Sequence, residues 1–257
     1  MTSSLPMRTV TVVGIGAGDP DQITVEAVRA LRAASFAIVA LKRENDPLVA
    51  ARQLIIDRHA PGLELVPVRD PERDRSAEST ATADGYRAAV VDWHDARAAA
   101  YEQVLLEREG DAVFLVWGDP AFYDSTIRIV RKVLDRGRIN FEWNVIAGIS
   151  ALQDLAARHR IVLHEIGQPL VVTTGRRLRE AVDAGVDNVL VMLSASLDLS
   201  GLDNWQIWWG ANLGTSDEQL VAGRVGDVRL DLVLARDAAR HRAGWVMDVY
   251  LLRRPVC

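Results

Sequence analysis

The chain predicts an α/β protein of two unlike domains, the first built on a mostly parallel sheet and the second on a mixed one. Three observations lead there. Apolar runs of strand length alternate with helical periodicities through the first half, the pattern of a parallel sheet covered on both faces. From Ser150 onward the rhythm changes to short strand candidates with fewer helices. The chain has 257 residues, 49% apolar and 25% charged, which is ordinary globular composition and enough material for two modest cores. We therefore expect residues 1–147 to form an N-terminal parallel α/β domain and residues 148–257 a C-terminal mixed α/β domain.

Each element has a local reason. Thr9–Val13 reads as the first strand and runs into Gly14, Gly16 and Gly18. Thr24 is an N-cap for a helix in which Val25, Val28 and Leu31 recur at helical spacing. Phe36–Leu41 is the second strand. Asp46–Pro47 pairs an N-cap with an N1 proline and opens a helix toward His59 that Pro61–Gly62 stops. Leu63–Val68 is the third strand. The following stretch, RDPERDRSAESTATA (Arg69–Ala83), is polar and too long for a tight turn, so it reads as a functional lid or a mobile loop. A long helix from Tyr86 to Glu109 carries Tyr86, Val90, Trp93, Arg97, Tyr101 and Val104 on one face. Ala112–Trp117 and Phe141–Ile146 are strands, with a helix over Ser125–Arg136 between them that Gly137 closes. In the second half a helix runs through His159. Strands are expected at Leu170–Thr173, Asn188–Leu193, Gln206–Trp209, Gln219–Val225 and Trp245–Leu252, with one helix at about Leu230–Arg242 before the last.

Bulk properties exclude several classes. A net charge of −5 leaves no basic footprint for nucleic acid. No apolar run approaches the roughly 20 residues of a membrane span. MTSSLPMRTV has no apolar signal-peptide core, and the lone Cys257 excludes an internal disulfide, so a cytoplasmic protein is expected. The five histidines are scattered and no cysteine pair exists, so no metal site is expected. No G-x-S-x-G elbow and no GxxxxGK[ST] loop is present.

The glycines of VTVVGIGAGDPD begin like a dinucleotide fingerprint, but the third glycine comes one residue early and Asp19–Pro20 follows it. The second strand ends in LKREND, with no acidic residue suitably placed to hold a ribose. The stretch instead has an echo: Gly118–Asp119–Pro120 follows AVFLVW as Gly18–Asp19–Pro20 follows the first strand. Two such turns at the carboxyl ends of strands suit a ligand crevice. They equally suit two tight strand-to-helix turns in which Asp is a local cap.

GIGAGDPDQITVEAVRAL, LVWGDPAFYDST, VIAGIS and WGANLGT, in this order, resemble the tetrapyrrole methylases, S-adenosylmethionine-dependent enzymes that methylate precorrins. The resemblance spans nearly the whole chain. RDPERDR, YRAAVVDWHDARAAAYE, AARHRI, TTGRRL, GTSDEQLVAGRV and GWVMDVYLLRR are similar to the branch of that family that deacetylates its substrate. Where the family usually reads VIPGISS, this chain has Ala147 and Ala151 in place of the proline and the second serine.

The resemblance implies a five-stranded parallel N-terminal sheet, a five-stranded mixed C-terminal sheet, a cofactor folded in the cleft between the domains, and a homodimer. It implies methyl transfer from S-adenosyl-L-methionine to C-1 of precorrin-5, with the acetyl group lost as acetate and S-adenosyl-L-homocysteine as by-product. Cofactor contacts carry over to Trp117, Gly118, Asp119, Pro120, Ser125, Thr126, Ile149, Ser150, Ala151, Met192, Ala211, Leu213 and Met247. Read without the resemblance, Met192 and Met247 are plain core. Asp19, Tyr123 and His94 are the catalytic candidates. Gly16, Gly18, Arg69, Arg73, Arg75 and Arg176 are the substrate-binding ones, the arginines for substrate carboxylates. The charged loop also reads as simply solvated, His94 as merely exposed, and Arg176 as a helix cap.

Overall fold

The computed structural model describes residues 7–44, 46–72 and 83–255. Arg73, Arg75 and Cys257 lie outside the described residues, as does the side chain of Tyr86. The chain divides into two compact units: residues 1–16 with 23–148, and residues 17–22 with 149–257. The short segment 17–22, which follows the first strand in sequence, therefore belongs to the second unit.

The first unit runs β1 (Thr9–Gly14), α1 (Val25–Ala33), β2 (Phe36–Leu41), α2 (Pro47–His59), β3 (Glu64–Arg69), α3 (Ala83–Glu107), β4 (Ala112–Val116), α4 (Thr126–Asp135) and β5 (Glu142–Ile146). The two N-caps form as expected. Thr24 Oγ1 accepts the Ala27 amide at 3.1 Å, and Asp46 Oδ1 accepts the Leu48 amide at 3.0 Å with Pro47 at the first helical position. All strand pairs are parallel, in the order β3-β2-β4-β1-β5.

Alternation along β4 divides the core. Val113 and Leu115 pack with Val13, Ala37 and the α1–α2 residues Ala27, Leu31, Ile55 and Ile56. Ala112, Phe114 and Val116 pack with Val10, Val12 and the α3–α4 residues Ala98, Tyr101, Leu105, Ile129, Val130 and Val133. Helices thus cover both faces, and strands buried on both sides read as continuous apolar runs. The connection from β1 leads toward β2 and that from β4 leads toward β5, so these neighbours diverge at their carboxyl ends. That is the topological switch point of the sheet, where ligands of open α/β folds bind.

The second unit contains α5 (Ala151–His159), β6 (Val171–Thr174), α6 (Leu178–Asp183), β7 (Asn188–Met192), β8 (Gln206–Ala211), β9 (Gln219–Arg224), α7 (Val225–Ala243) and β10 (Asp248–Arg253). Its sheet has the order β6-β7-β10-β8-β9, with β6 and β7 parallel and the other pairs antiparallel. Val189, Val191, Trp209, Tyr250 and Leu252 form the centre of its larger core. Both sheets have the expected five strands and the expected character.

Three local expectations shift. The long helix α7 starts at Val225 rather than near Leu230: Gly226 is retained inside it because its amide bonds the Asp203 carbonyl at 2.9 Å and a Cβ there would stand 3.2 Å from that oxygen. The last strand starts at Asp248 rather than Trp245. The short α6 was not expected; six residues span under two turns, too few for helical periodicity to show. Among the described residues, no helix is long and apolar enough to cross a membrane.

Candidate functional site

In the first unit the site candidates gather at the switch point. The Gly16 and Gly118 backbones pair there, with Gly118 N–H donating to the Gly16 carbonyl at 2.7 Å and Gly16 N–H to the Gly118 carbonyl at 3.3 Å. Gly14, Gly118 and Gly148 meet backbone to backbone. A Cβ on Gly14 would lie 2.5 Å from the Gly148 nitrogen, and one on Gly148 would lie 2.2 Å from the Gly118 oxygen. The family-like glycines of the first loop and of VIAGIS are therefore required by close approach of three backbone segments. No side chain fits between them.

Asp119 ties this knot. Its Oδ1 accepts the Ala121 amide and its Oδ2 the Gly148 amide, both at 2.8 Å. Pro120 is buried beside it, while Trp117 is half-buried. Asp124 Oδ1 accepts the Thr126 amide at 2.6 Å at the start of α4, and Thr126 is buried. Ser125 Oγ accepts from Arg97 Nη1 at 3.2 Å, which leaves its own proton for another acceptor. Phe122 and Tyr123 are exposed side by side, and Tyr123 adopts a left-handed φ of 54°. Non-glycine residues hold that conformation only where their surroundings impose it, often at ligand-binding loops.

Arg97, which the sequence reading placed only on a helix face, proves to be a hub. Its Nε lies 2.8 Å from Asp70 Oδ1, Nη2 donates to Tyr101 Oη at 2.9 Å, and its guanidinium sits 4.6 Å from the Trp93 ring centre. Burial raises the Asp70 carboxyl above its usual range against the opposing pull of Arg97. Trp93, half-buried, donates Nε1–H to the Pro71 carbonyl at 3.0 Å, and so marks where the charged loop leaves β3. The His94 ring lies 5.3 Å from that of Trp93, tilted by 35°. Burial, then the charges of Arg97, Lys132 and Arg128, push it below the usual histidine range and keep it neutral near pH 7. Arg69 is exposed at the end of β3.

In the second unit Asp19 forms the same turn as Asp119: its Oδ1 accepts the Asp21 amide at 2.8 Å. The two differ at the second oxygen, since Asp19 Oδ2 has no hydrogen-bond partner among the described residues. The loop is pressed onto the segment after β8. A Cβ on Gly18 would lie 2.5 Å from the Leu213 oxygen, and one on Gly214 would lie 2.7 Å from the Asp19 nitrogen. Gln22 Nε2 donates to buried Asp154 Oδ1 at 2.8 Å and fastens the far end of the loop to α5. Neither Gln22 nor Asp154 was singled out from sequence, because 132 residues separate them.

The other second-unit candidates are placed as follows. Ser150 is buried, and both its amide (2.8 Å) and its hydroxyl (2.7 Å) donate to Gln153 Oε1 at the start of α5. Ile149 and Ala151, on either side of it, are half-buried. Met192 is half-buried at the end of β7 and precedes Leu193, which is 61% exposed at a left-handed φ of 55°. Ala211 and Leu213 are fully in the core, so only their backbones are on offer to a ligand. Asn212 between them holds Met247 by two bonds of 3.0 Å, one through its amide N–H and one through Oδ1. Arg176 is exposed in the turn after β6. Among the described residues, no group of three or more His, Cys, Asp or Glu is placed to hold a metal ion.

Comparison with known proteins bears on this arrangement. Residues 9–229 match the model of the Tetrapyrrole (Corrin/Porphyrin) Methylases. A precorrin-6A synthase [deacetylating] from Sinorhizobium sp. is 40% identical over 254 residues, covering 96% of each chain. The crystal structure of a cobalamin-synthesis-related protein, CobF, from Corynebacterium diphtheriae superposes with a TM-score of 0.80 at 35% identity, over 96% of this chain and 99% of that one. The cobalt precorrin-4 methyltransferase CbiF shares the fold, with a TM-score of 0.61 at 16% identity over 95% and 94% of the two chains.

Proposed function

The chain belongs to the tetrapyrrole methylase family, and on that premise we propose that it transfers a methyl group from S-adenosylmethionine to C-1 of precorrin-5 and releases the acetyl group as acetate, giving precorrin-6A. The observation that carries this reading is the near full-length 40% identity to the deacetylating synthase.

The residues present fit the cofactor. At the first-unit switch point the glycine contacts hold the loop backbone in place, and the Ser125 hydroxyl, which accepts from Arg97, keeps its own proton to donate to the amino-acid end of the cofactor. Trp117, Gly118, Asp119, Pro120, Ser125 and Thr126 would hold it there. Asp119 works at one remove: both its oxygens are spent on amides, so it shapes the loop. Arg97 orients the Ser125 hydroxyl as a donor. In the second unit Ile149, Ser150, Ala151, Ala211 and Leu213 would contribute backbone, and Met192 and Met247 soft apolar contact. When bound, S-adenosylmethionine supplies an electrophilic methyl, so the protein's task in that step is in-line positioning and exclusion of water.

Loss of the acetyl group asks for more. A water must add to the carbonyl, its oxygen leaves in acetate, and the electron pair of the broken carbon–carbon bond passes to the macrocycle. A base must take the water's proton. Asp19 suits that role, being held in place through one oxygen with the other unengaged. His94, kept neutral, is the second proton acceptor. Phe122 and Tyr123 offer exposed rings for a macrocycle face, and Arg69 and Arg176 offer charge for its carboxylates. We also assign the protein to the cytoplasm as a homodimer; light scattering would test the oligomeric state and cell fractionation the location.

The deciding experiment supplies methyl-labelled S-adenosylmethionine and precorrin-5 to the purified protein. Labelled precorrin-6A with one acetate per methyl is expected. Methylated product without acetate would refute the deacetylating assignment, and cofactor binding with no transfer would refute catalysis.

A further inference from the structure

Arg52, on α2, is a half-buried cation, and no carboxylate among the described residues pairs with it. Strands β2 and β4 pair only as far as Ile38 and Phe114, whereas β2 stays with β3 to Leu41 and Arg69. Beyond Phe114 the two strands separate at the carboxyl edge of the sheet. The Val116 carbonyl turns toward β1, where it accepts the Ile15 amide at 3.0 Å, and the Leu115 carbonyl faces into the split. Arg52 fills that split: its Nε donates to the Leu115 carbonyl at 3.2 Å and its Nη1 to the Leu48 carbonyl at 2.9 Å. The guanidinium carbon lies 5.6 Å from the ring centre of Trp117, the residue before Gly118.

Carbonyl oxygens satisfy two of the five N–H donors and neutralise none of the charge. Other half-buried arginines here have a carboxylate: Arg97 has Asp70 at 2.8 Å and Arg236 has Asp248 at 2.9 Å. No Asp or Glu among the described residues comes within 4.0 Å of Arg52. The acids that act on it through space, Asp46 and Asp124, are already occupied by backbone amides of Lys42, Leu48 and Thr126. Burial consequently pulls the guanidinium below its usual range, a penalty that an arriving anion would remove.

We propose that Arg52 is a carboxylate anchor beside the Gly118 loop, its remaining N–H fork taking a carboxylate of the bound reactants. The carboxylate belongs either to a side chain of the macrocycle or to the amino-acid end of the cofactor. This rests on the reading of the chain as a tetrapyrrole methylase acting with S-adenosylmethionine.

The test compares wild type, Arg52→Met and Arg52→Lys. Calorimetry would give the affinities for S-adenosylhomocysteine and for uroporphyrin III, a stable polycarboxylate macrocycle, alongside melting temperatures. Arg52→Met should weaken one ligand about 10- to 100-fold, the loss of a charge-assisted contact, and leave the other unchanged. Loss confined to uroporphyrin assigns the macrocycle carboxylate; loss confined to S-adenosylhomocysteine assigns that of the cofactor. Arg52→Lys keeps charge and stem but not the fork, and should weaken the same ligand less. Unchanged affinities, or a fall in both together with the melting temperature, would overturn the proposal and leave Arg52 a strut between β2 and β4. Neither binding readout depends on turnover. A wild-type protein that bound both ligands but released no acetate would overturn the reaction and not the anchor.

Discussion

Gly148→Ala is the sharpest probe of the glycine knot. The added Cβ would lie 2.2 Å from the Gly118 oxygen and 2.8 Å from both Gly14 Cα and the Gly14 carbonyl carbon. Carbon atoms in contact normally stand about 3.5–4.0 Å apart, so at least ~0.7 Å must be made up at Gly14 and more at Gly118. All the opposing atoms are backbone, and no rotamer change relieves them. Relief requires the Gly118 loop to withdraw, which breaks its two bonds to Gly16 and the Asp119–Gly148 bond. Over-packing costs about 1–3 kcal/mol and each lost hydrogen bond about 1 kcal/mol, so the first unit should lose roughly 4–6 kcal/mol. That corresponds to a fall of roughly 10–20 °C in its melting temperature. Gly137→Ala is the control, because nothing lies within 4 Å of its Cβ position and only the left-handed φ of 69° is penalised, by about 1–2 kcal/mol. Urea and thermal unfolding measure both, and S-adenosylhomocysteine titration reports on the loop. A Gly148→Ala protein within 1 kcal/mol of wild type, binding that ligand normally, would refute the close-approach argument.

Other outcomes follow from single contacts. Asp19→Asn keeps an acceptor for the Asp21 amide and loses the carboxylate; S-adenosylhomocysteine affinity should hold while turnover drops about 10²- to 10⁴-fold, and a drop in cofactor affinity alone would remove Asp19 from catalysis. Arg236→Ala leaves the buried Asp248 carboxylate unpaired and should cost about 3–5 kcal/mol in urea melts, whereas Arg236→Met with Asp248→Leu should recover most of it. Tyr250 is pushed up to about 12 by burial, so it stays protonated in the native state above its ordinary value of about 10. Its contribution is intact below pH ~10 and is lost as pH rises toward 12, on the order of 2–3 kcal/mol. Alkaline unfolding should therefore be less steep in Tyr250→Phe. His94 has the opposite sign for its type: with its value depressed, the native state binds less proton than the unfolded chain, so stability falls as pH drops below about 6.5. His94→Gln should flatten that slope in melts between pH 7 and 5.

What the sequence by itself determined was local. Strand limits at Phe36–Leu41 depend on a continuous apolar run and the caps at Thr24 and Asp46 on side chains two or three positions away, and these are written into any short window. The echo between the Gly-Asp-Pro turns was equally legible, and so was the Asx turn that each can form. Tertiary structure decided what distinguishes them. Asp119 meets Gly148 and is consumed; Asp19 rides on the second unit because Gly18 abuts Leu213 and Gln22 reaches Asp154. Likewise Arg52 and Arg97 are ordinary charges on helix faces until strand order brings one to the Leu115 carbonyl and the other to Asp70. The physical reason is the same in each case. Periodicity and capping act over a few residues, whereas a partner 29 or 132 positions away is chosen by the path of the chain through the sheet.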